Sequence, residues 1–428
     1  MAVLWGCDQM TRGENRNRER NRNRDEDDDD NATAQRTPSW STVPTGRAPG
    51  DNGPADGADE VAPVAVPADE LVEIAARVLA TAGSPEPAAR AVGSSLVESD
   101  LVGHDSHGVR RLVPYVDAVH SGMIDPSADP VLRRRHRATA VVDGRRGFGQ
   151  LAARLAVTEA RQLADEYGVG VVTIGNCNHI GRLGEYVQLL AEAGMVGLAF
   201  CNINPTVAPY GGRERRLGTN PFAWSAPRAE GRPPVVVDFA TSAIAEGKLA
   251  LSLARRERVG TGLLVDADGR GSTDPHDFYT GGALLPFGQH KGYGLSVMIE
   301  IVGGLLSGAG VSSLPGYDNT NGTVLVAVDI GTFLPVAEFR TRSEGFCRLL
   351  GDTAPAVDGD PGPDGVLVPG EKEALTRAAR ISDGVPLAPS TWRELAELPG
   401  GPELPGTSVP HPRSRAEGAA PSSQEDRR

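Results

Sequence analysis

Leu71, Ile74, Ala75, Val78 and Leu79 recur at the i, i+3, i+4, i+7, i+8 spacing of a single helical face, so "PADELVEIAARVLATAG" predicts a helix. Asp69 is its expected N-cap and Gly83 its stop. A second helix is expected over about 86–100. Beyond it "ATAVVDG" reads as a strand, "GQLAARLAVTEARQLADEYG" as a helix, "VGVVTIGN" as a short buried strand, "GRLGEYVQLLAEAG" as a helix and "MVGLAFCN" as a strand. Further strands are expected at "PPVVVDFA" and "GTVLVAVDI", with helices near 244–256, 291–308, 371–380 and 391–397. Strands and helices alternating at this spacing imply an α/β lobe with helices packed on a sheet. No internal repeat of 20 to 50 residues is present.

The ends break this pattern. Residues 11–30 join an Arg/Asn tract to an acidic block, and 31–66 are rich in Pro, Gly, Ala and Asp. Such a composition buries too little apolar surface to offset its ordering entropy, so 1–65 is expected to be disordered, and 399–428 likewise. Between them the expected division is a helical lobe over 66–135, an α/β domain over 136–330, and a C-terminal segment, 331–398, packing back on the helical lobe.

Charge and composition narrow the chemistry. A formal net charge of -13 over 428 residues argues against a nucleic-acid binder, which needs concentrated Lys and Arg on a folded face. No apolar run is long enough for a membrane span and no hydrophobic signal segment is visible, so no membrane partner is expected. The four cysteines show no CxxC and no metal spacing, which fits a reducing cytoplasm. A small-molecule partner is the expectation.

Four polar clusters interrupt the apolar pattern. "HDSHGVRRLVPYV" (104–116) carries His104 and His107 three apart, with Arg110, Arg111 and Tyr115 following. As a metal site it lacks a third fixed ligand, and no metal is expected. As plain structure, Asp105 or Ser106 caps a helix starting near Gly108. "IGNCNHIGRLGEY" (174–186) sets His179 between an apolar strand and a helix, at the strand's carboxyl end, where α/β folds gather chemistry. An imidazole there can exchange protons near neutrality, or serve only as a structural hydrogen-bonder. The Asn-, Pro- and Gly-rich stretch after "MVGLAFCN" is a long irregular connection of the kind that carries function. Last, "LLPFGQHKGYGL" places Gly288, His290, Lys291, Gly292 and Gly294 at a helix start, a seat for an anion or an ordinary helix entry. Neither GxGxxG nor GxxxxGK[ST] occurs, so no Rossmann or P-loop fingerprint is present.

Seven collinear stretches, "DSHGVRRLVPYV", "GVGVVTIGNCNHIGRLGEY", "NPTVAPYGGRERRLGTNPFAWSAPR", "VVDFATSAIAEGKLALS", "TDP", "LLPFGQHKGYGLSVMIEIVGG" and "VPGEKE", make residues 66–398 resemble the type 2 malate/L-lactate dehydrogenase family. That family also includes ureidoglycolate and sulfolactate dehydrogenases and a reductase of Δ1-piperideine-2-carboxylate. The resemblance implies a non-Rossmann NAD(P)-binding α/β fold with a mixed, mainly antiparallel sheet, helices on its flanks and a helical terminal lobe. It implies a cytoplasmic homodimer that interconverts 2-oxo acids and L-2-hydroxy acids with NAD or NADP. By the same resemblance His179 is the proton donor and acceptor, and Arg111 and Tyr115 hold the substrate carboxylate. Ser106 and His107, Asp238, Phe239 and Ala240, and His290, Lys291 and Gly292 lie along the cofactor. Two positions depart from the family pattern: Gln289 replaces a glycine of its "GGHKG" turn, and Ile203 replaces a small polar residue. The alternatives are a reductase of a cyclic imino acid and, in another class, a non-catalytic binding protein on the same fold.

Overall fold

The computed structural model describes residues 63–317, 319–357, 362 and 365–403, all within one compact unit. In chain order, β1 (Val64–Val66) leads to α1 (Ala68–Thr81), α2 (Glu86–Leu101) and α3 (Leu112–His120). Next come β2 (Val131–His136), β3 (Thr139–Asp143), α4 (Gly149–Tyr167), β4 (Val169–Gly175), α5 (Leu183–Glu192), β5 (Met195–Asn202), β6 (Phe222–Ala226) and β7 (Val235–Phe239). A second group holds α6 (Glu246–Ala254), β8 (Leu264–Val265), β9 (Gly271–Ser272), α7 (Pro275–Tyr279), β10 (Ala283–Leu284) and α8 (His290–Ile299). The chain closes with β11 (Gly322–Asp329), α9 (Val336–Gly351), α10 (Glu371–Asp383), β12 (Val385–Leu387) and α11 (Pro389–Glu397).

The main sheet has seven strands in the order β2-β3-β4-β11-β5-β6-β7. The β3–β4 pair is parallel and every other neighbouring pair is antiparallel, which makes this the mixed, mainly antiparallel sheet flanked by helices. Alternation in β4 and β5 turns Val172, Ile174, Ala199 and Cys201 toward α4 and α5, where they meet Ala156, Ala160, Leu163, Val187 and Leu190. The alanines let the helix come close: a Cβ on Gly170 would stand 2.1 Å from the Ala160 carbonyl oxygen.

A second core joins α1, α2 and α3 through Leu71, Leu79, Leu96, Leu112 and Tyr115. β12 pairs antiparallel with β1, so the C-terminal segment closes onto this lobe, and Leu395 of α11 enters its core. A third, smaller core forms around Val207, Leu249, Leu264, Phe278 and Leu284 under a three-stranded sheet, β10-β8-β9.

Several expectations are corrected. α1 begins after Pro67, whose fixed φ suits a helix entry, so Asp69 sits inside the first turn, where a negative charge complements the helix dipole. α3 starts at Leu112, after two single 3-10 turns (Asp105–His107 and Val109–Arg111), and no side chain of Asp105 or Ser106 caps it. The sheet begins at β2, ahead of residue 136, and β1 falls on residues assigned to the disordered extension. The rest of 1–62 and all of 404–428 lie outside the described residues.

α8 continues beyond Ile299 as a π-helical turn, Glu300–Leu305. A buried carboxylate stands at its first residue. Glu300 Oε1 accepts from Gly218 N at 3.2 Å, Asn220 Nδ2 at 2.9 Å and Ser312 Oγ at 2.7 Å. Its Oε2 accepts from Asn202 Nδ2 at 3.1 Å and Ser312 N at 2.9 Å. The asparagines that made the third cluster look functional are therefore in part scaffold, binding the loops after β5 and before β6 to α8. Removing a buried acceptor leaves its donors desolvated and unpaired. Glu300→Ala is expected to cost about 3 kcal/mol of stability in urea unfolding. A loss below about 0.5 kcal/mol would show that water replaces the carboxylate.

Candidate active site

The first wall is built by Asp100, near the end of α2. Its Oδ2 accepts from Val109 N at 2.8 Å, and a Cβ on Gly108 would fall 1.7 Å from its Oδ1, so glycine is required for the turn to close on the carboxylate. Burial pushes Asp100 up to about 8, against the hydrogen bond from Val109. From α10, Arg380 Nη1 donates to the Asp100 carbonyl and to Asp105 Oδ1. Ser106, His107 and Arg111 are thus presented on a clamped turn. Arg111 Nε donates to the Ser106 carbonyl at 2.7 Å, and Ser106 Oγ bonds His107 Nδ1 at 2.9 Å.

The second wall is the loop after β4. Asn176 takes a positive φ of 49°, and Asn178 Nδ2 donates to the Arg146 carbonyl at 2.7 Å. Gly149 opens α4 directly beneath: a Cβ there would stand 2.5 Å from the His179 carbonyl oxygen. His179 is so fixed that its Nδ1 lies 2.7 Å from Tyr115 Oη, which also accepts from Gln150 Nε2 at 2.7 Å. The His107 and His179 rings stack at 5.5 Å. Burial, then the charge of Arg111 and the His107 ring, hold His179 well below its ordinary pKa. Burial and Arg111 likewise depress His107, to about 3. Tyr115 is pushed up to about 12 by burial. Both imidazoles are neutral at pH 7, and Tyr115 keeps its proton.

Asp238 is the penultimate residue of β7. Its Oδ2 accepts from Gly184 N at 2.7 Å and so caps the entry to α5. From Asp238 through Phe239 and Ala240 the chain runs to α6, where Gly247 packs on Ser106. Asp238 and Phe239 line a cavity of about 810 Å³ with Gly370, Lys372 and Glu373. A second cavity of about 880 Å³ is lined by Arg154, Arg182, Arg377 and Glu373 and shares Val236 and Gly370 with the first. Arg182 is buried, and its Nε has no hydrogen-bond partner among the described residues. Adjoining cavities suit the length of a dinucleotide, and the unsatisfied Arg182 Nε is a donor free for one of its polar groups, while the other arginines of the lining are matched by Glu98, Glu185, Glu192 and Glu373. "VPGEKE" (368–373) borders both cavities; it contributed to the family resemblance, but its chemistry was not foreseen.

The structure therefore gathers Ser106, His107, Arg111, Tyr115 and His179 into one cluster, while Asp238 and Phe239 line a cavity whose walls include none of these five. It does less for the "HKG" stretch. Gly292 is buried against the Phe287 and Thr241 carbonyls, whereas His290 and Lys291 are exposed, and no described contact joins them to His179. His290 stands edge-on to Tyr210 at 6.3 Å. His104 turns away from His107 toward Glu373, at 3.7 Å. Among the described residues no group of three His, Cys, Asp or Glu could hold a metal ion, and no helix is long and apolar enough to cross a membrane.

The chain is similar to proteins of known class. A family model described as malate/L-lactate dehydrogenase matches residues 66–396. A malate dehydrogenase of Pyrococcus abyssi is 36% identical over 346 residues, covering 78% of this chain and 94% of the relative. An L-lactate dehydrogenase of Cupriavidus necator is 38% identical over 341 residues, covering 76% and 94%. Among solved structures, the Δ1-piperideine-2-carboxylate reductase from Pseudomonas syringae superposes with a TM-score of 0.70 at 32% identity, covering 78% of this chain and 99% of that one.

Gln289 stands just ahead of α8 at φ 59° and ψ -115°, a conformation that favours glycine. Its side chain is exposed, with one long bond of 3.5 Å from Tyr210 Oη to its Oε1. Gln289→Gly is expected to stabilise the protein by about 1 kcal/mol, read as a raised thermal midpoint. A lowered midpoint would show that the bond to Tyr210 outweighs the backbone strain.

Proposed function

The chain belongs to the malate/L-lactate dehydrogenase family, and from that premise we propose that it reduces a 2-oxo acid to an L-2-hydroxy acid, reversibly, with NADH or NADPH. It is an oxidoreductase acting on a small hydroxy or oxo acid, and its cofactor is a nicotinamide. The single observation that carries the finer reading is the Tyr115–His179 hydrogen bond, made 2.7 Å long beside the Arg111 guanidinium.

The nicotinamide, when bound, supplies or takes the hydride. The protein's residues do the rest. Arg111 binds the substrate carboxylate through its terminal nitrogens, since its Nε is already bonded to Ser106. That contact fixes the carbon bearing the carbonyl or hydroxyl against the His179 ring. Tyr115 Oη, with two lone pairs, accepts from Gln150 and from His179 Nδ1–H. In that tautomer Nε2 carries the lone pair that takes the hydroxyl proton on oxidation, and the resulting imidazolium is held through Nδ1–H. On reduction Nε2–H returns the proton to the carbonyl oxygen. A carboxylate on Arg111 offsets the charge that depresses His179, so bound substrate raises the proton affinity of its own acid. Asp238, Phe239 and Ala240 line the cofactor's path, Ser106 and His107 flank it, and Gly292 backs the same segment through Thr241.

A second reading, reduction of a cyclic imino acid, draws support from the likeness to the piperideine-2-carboxylate reductase. Its substrate also sets a carboxylate beside a reducible carbon, so Arg111 serves both. A homodimer is supported by large apolar side chains exposed on α8, its continuation and the sheet, including Met298, Ile301, Leu305 and Trp224. Three free buried cysteines, Cys177, Cys201 and Cys347, support a reducing cytoplasm.

Loss of reduced nicotinamide absorbance with pyruvate, oxaloacetate and the cyclic imine, each with NADH and NADPH, tests the reading. Turnover of a 2-oxo acid is expected, with kcat falling roughly 100-fold or more in His179→Ala. Turnover of the imine alone would select the second reading, and an unaltered kcat would remove His179 from the proton step. The pH profile gives a separate check. Because the imidazole is neutral in the free enzyme, kcat/KM for hydroxy-acid oxidation is expected to hold as pH falls through the ordinary histidine value of ~6.5 and to fail only below it. An acid limb at or above ~6.5 would contradict the depressed proton affinity.

A further inference from the structure

Helix α6 begins on Glu246, and the next residue is pressed onto the turn that carries Arg111: a Cβ on Gly247 would come 2.7 Å from Ser106 Cβ. Glu246 is therefore fixed at the mouth of the Arg111 cluster. It is half-buried, yet no described hydrogen bond or ion pair engages its carboxylate. The charged and titratable groups facing it are Arg111 from the turn, Arg215 from the loop between β5 and β6, and Tyr279 from α7, with Arg110 beyond Tyr279. Arg215 is already spent. Its Nε donates to the Gly282 carbonyl at 2.7 Å, a second nitrogen donates to the Phe278 carbonyl, and its guanidinium carbon lies 4.1 Å from the centre of the Phe278 ring. Arg111 gives its Nε to Ser106. A guanidinium with nitrogens to spare and a carboxylate thus lie within electrostatic reach of each other, with no described hydrogen bond or ion pair between them.

We infer that Glu246 reads the distal end of the substrate held on Arg111, favouring a 2-oxo acid with one negative charge and turning away one that carries a second anionic group. The inference rests on the proposed 2-oxo acid chemistry and names the substrate class within it. A carboxylate with no partner in the fold has no structural work that would keep it where it is. Set beside a bound substrate, it repels a distal carboxylate or sulfonate and accepts a hydrogen bond from a hydroxyl or amide. Burial raises Glu246 to about 7, opposed by Arg111 and Arg215, so its charge grows as pH rises through neutrality and the discrimination grows with it.

The test compares wild type, Glu246→Gln and Glu246→Asp at pH 8, after thermal midpoints confirm that all three are folded. Two quantities are read: kcat/KM for oxaloacetate against pyruvate, and the affinity of the NADH-loaded protein for tartronate against oxamate, followed by cofactor fluorescence. Glu246→Gln is expected to raise both dianion-to-monoanion ratios roughly tenfold, while Glu246→Asp, which keeps the charge, stays near wild type. Ratios within about twofold of wild type in Glu246→Gln overturn the inference and leave the 2-oxo acid reading standing. A shifted affinity ratio without turnover of either acid supports Glu246 and removes that reading. Neither turnover nor binding by any of the three overturns both.

Discussion

The hydrogen bond between His179 Nδ1 and Tyr115 Oη joins the main sheet to the helical lobe, and the geometry of the cluster depends on that junction. Tyr115 is a core residue of α3, packed with Leu112 and Phe148, while His179 hangs from the carboxyl end of β4. Neither lobe alone holds an imidazole at a defined angle. Gln150, in the first turn of α4, bonds the same phenol oxygen, so the sheet-side helix and the lobe-side helix both fix it. A tyrosine 1% exposed, with a pKa pushed to about 12, is a hydrogen-bonding post that keeps its proton and fixes the orientation of the His179 ring.

Other buried charges serve to set loops rather than to react. Asp100 holds the turn before α3, and Glu300 holds the loops around β6; each carboxylate is buried and met by backbone or amide N–H groups. Arg228 plays the same part with opposite charge, 1% exposed at its side chain and paired with Glu344 at 3.0 Å and Glu371 at 2.6 Å. Because Glu371 sits within "VPGEKE", this pairing pins the start of α10 to the chain just after β6. Breaking the contacts of Glu300 or Arg228 would leave an uncompensated charge, and losing Asp100 would leave the Val109 N–H unpaired, so the loops have one arrangement.

The regular elements with one buried face were legible in the sequence. α1, α4, β4, α5 and β5 all show the period of their class because one side meets a core. The elements that escaped lack that asymmetry. β2 is an edge strand reading "VLRRRH", exposed along nearly its whole length, and so shows no alternation. α9 buries only Glu344 and Cys347 while leaving Phe346 and Leu349 exposed, a face that does not meet the core of its own chain. In the site, Arg111 and Tyr115 share one helical entry and could be paired by spacing, but Tyr115 and His179 are 64 residues apart and only packing shows them bonded. Asp100 had one available signal, the glycine eight positions on, which no local rule ties to a carboxylate in the preceding helix.

Charge placement explains why so polar a cluster is stable without a ligand. Arg111, His107 and His179 would repel one another if all were protonated, and burial removes that conflict by keeping both imidazoles neutral. One fixed positive charge remains, on a guanidinium that cannot lose its proton at working pH. Burial and, after it, that charge depress the proton affinity of His179, and a carboxylate bound on Arg111 would offset the charge's share. On the proposed chemistry, recognition of the substrate and readiness of the acid would then be the same electrostatic event. Such coupling requires that the cluster's charge be cancelled by the ligand and not by the protein, which is why a full ion pair between Glu246 and Arg111 would defeat it. No described hydrogen bond or ion pair joins those two groups, which leaves the Arg111 charge for a ligand to cancel.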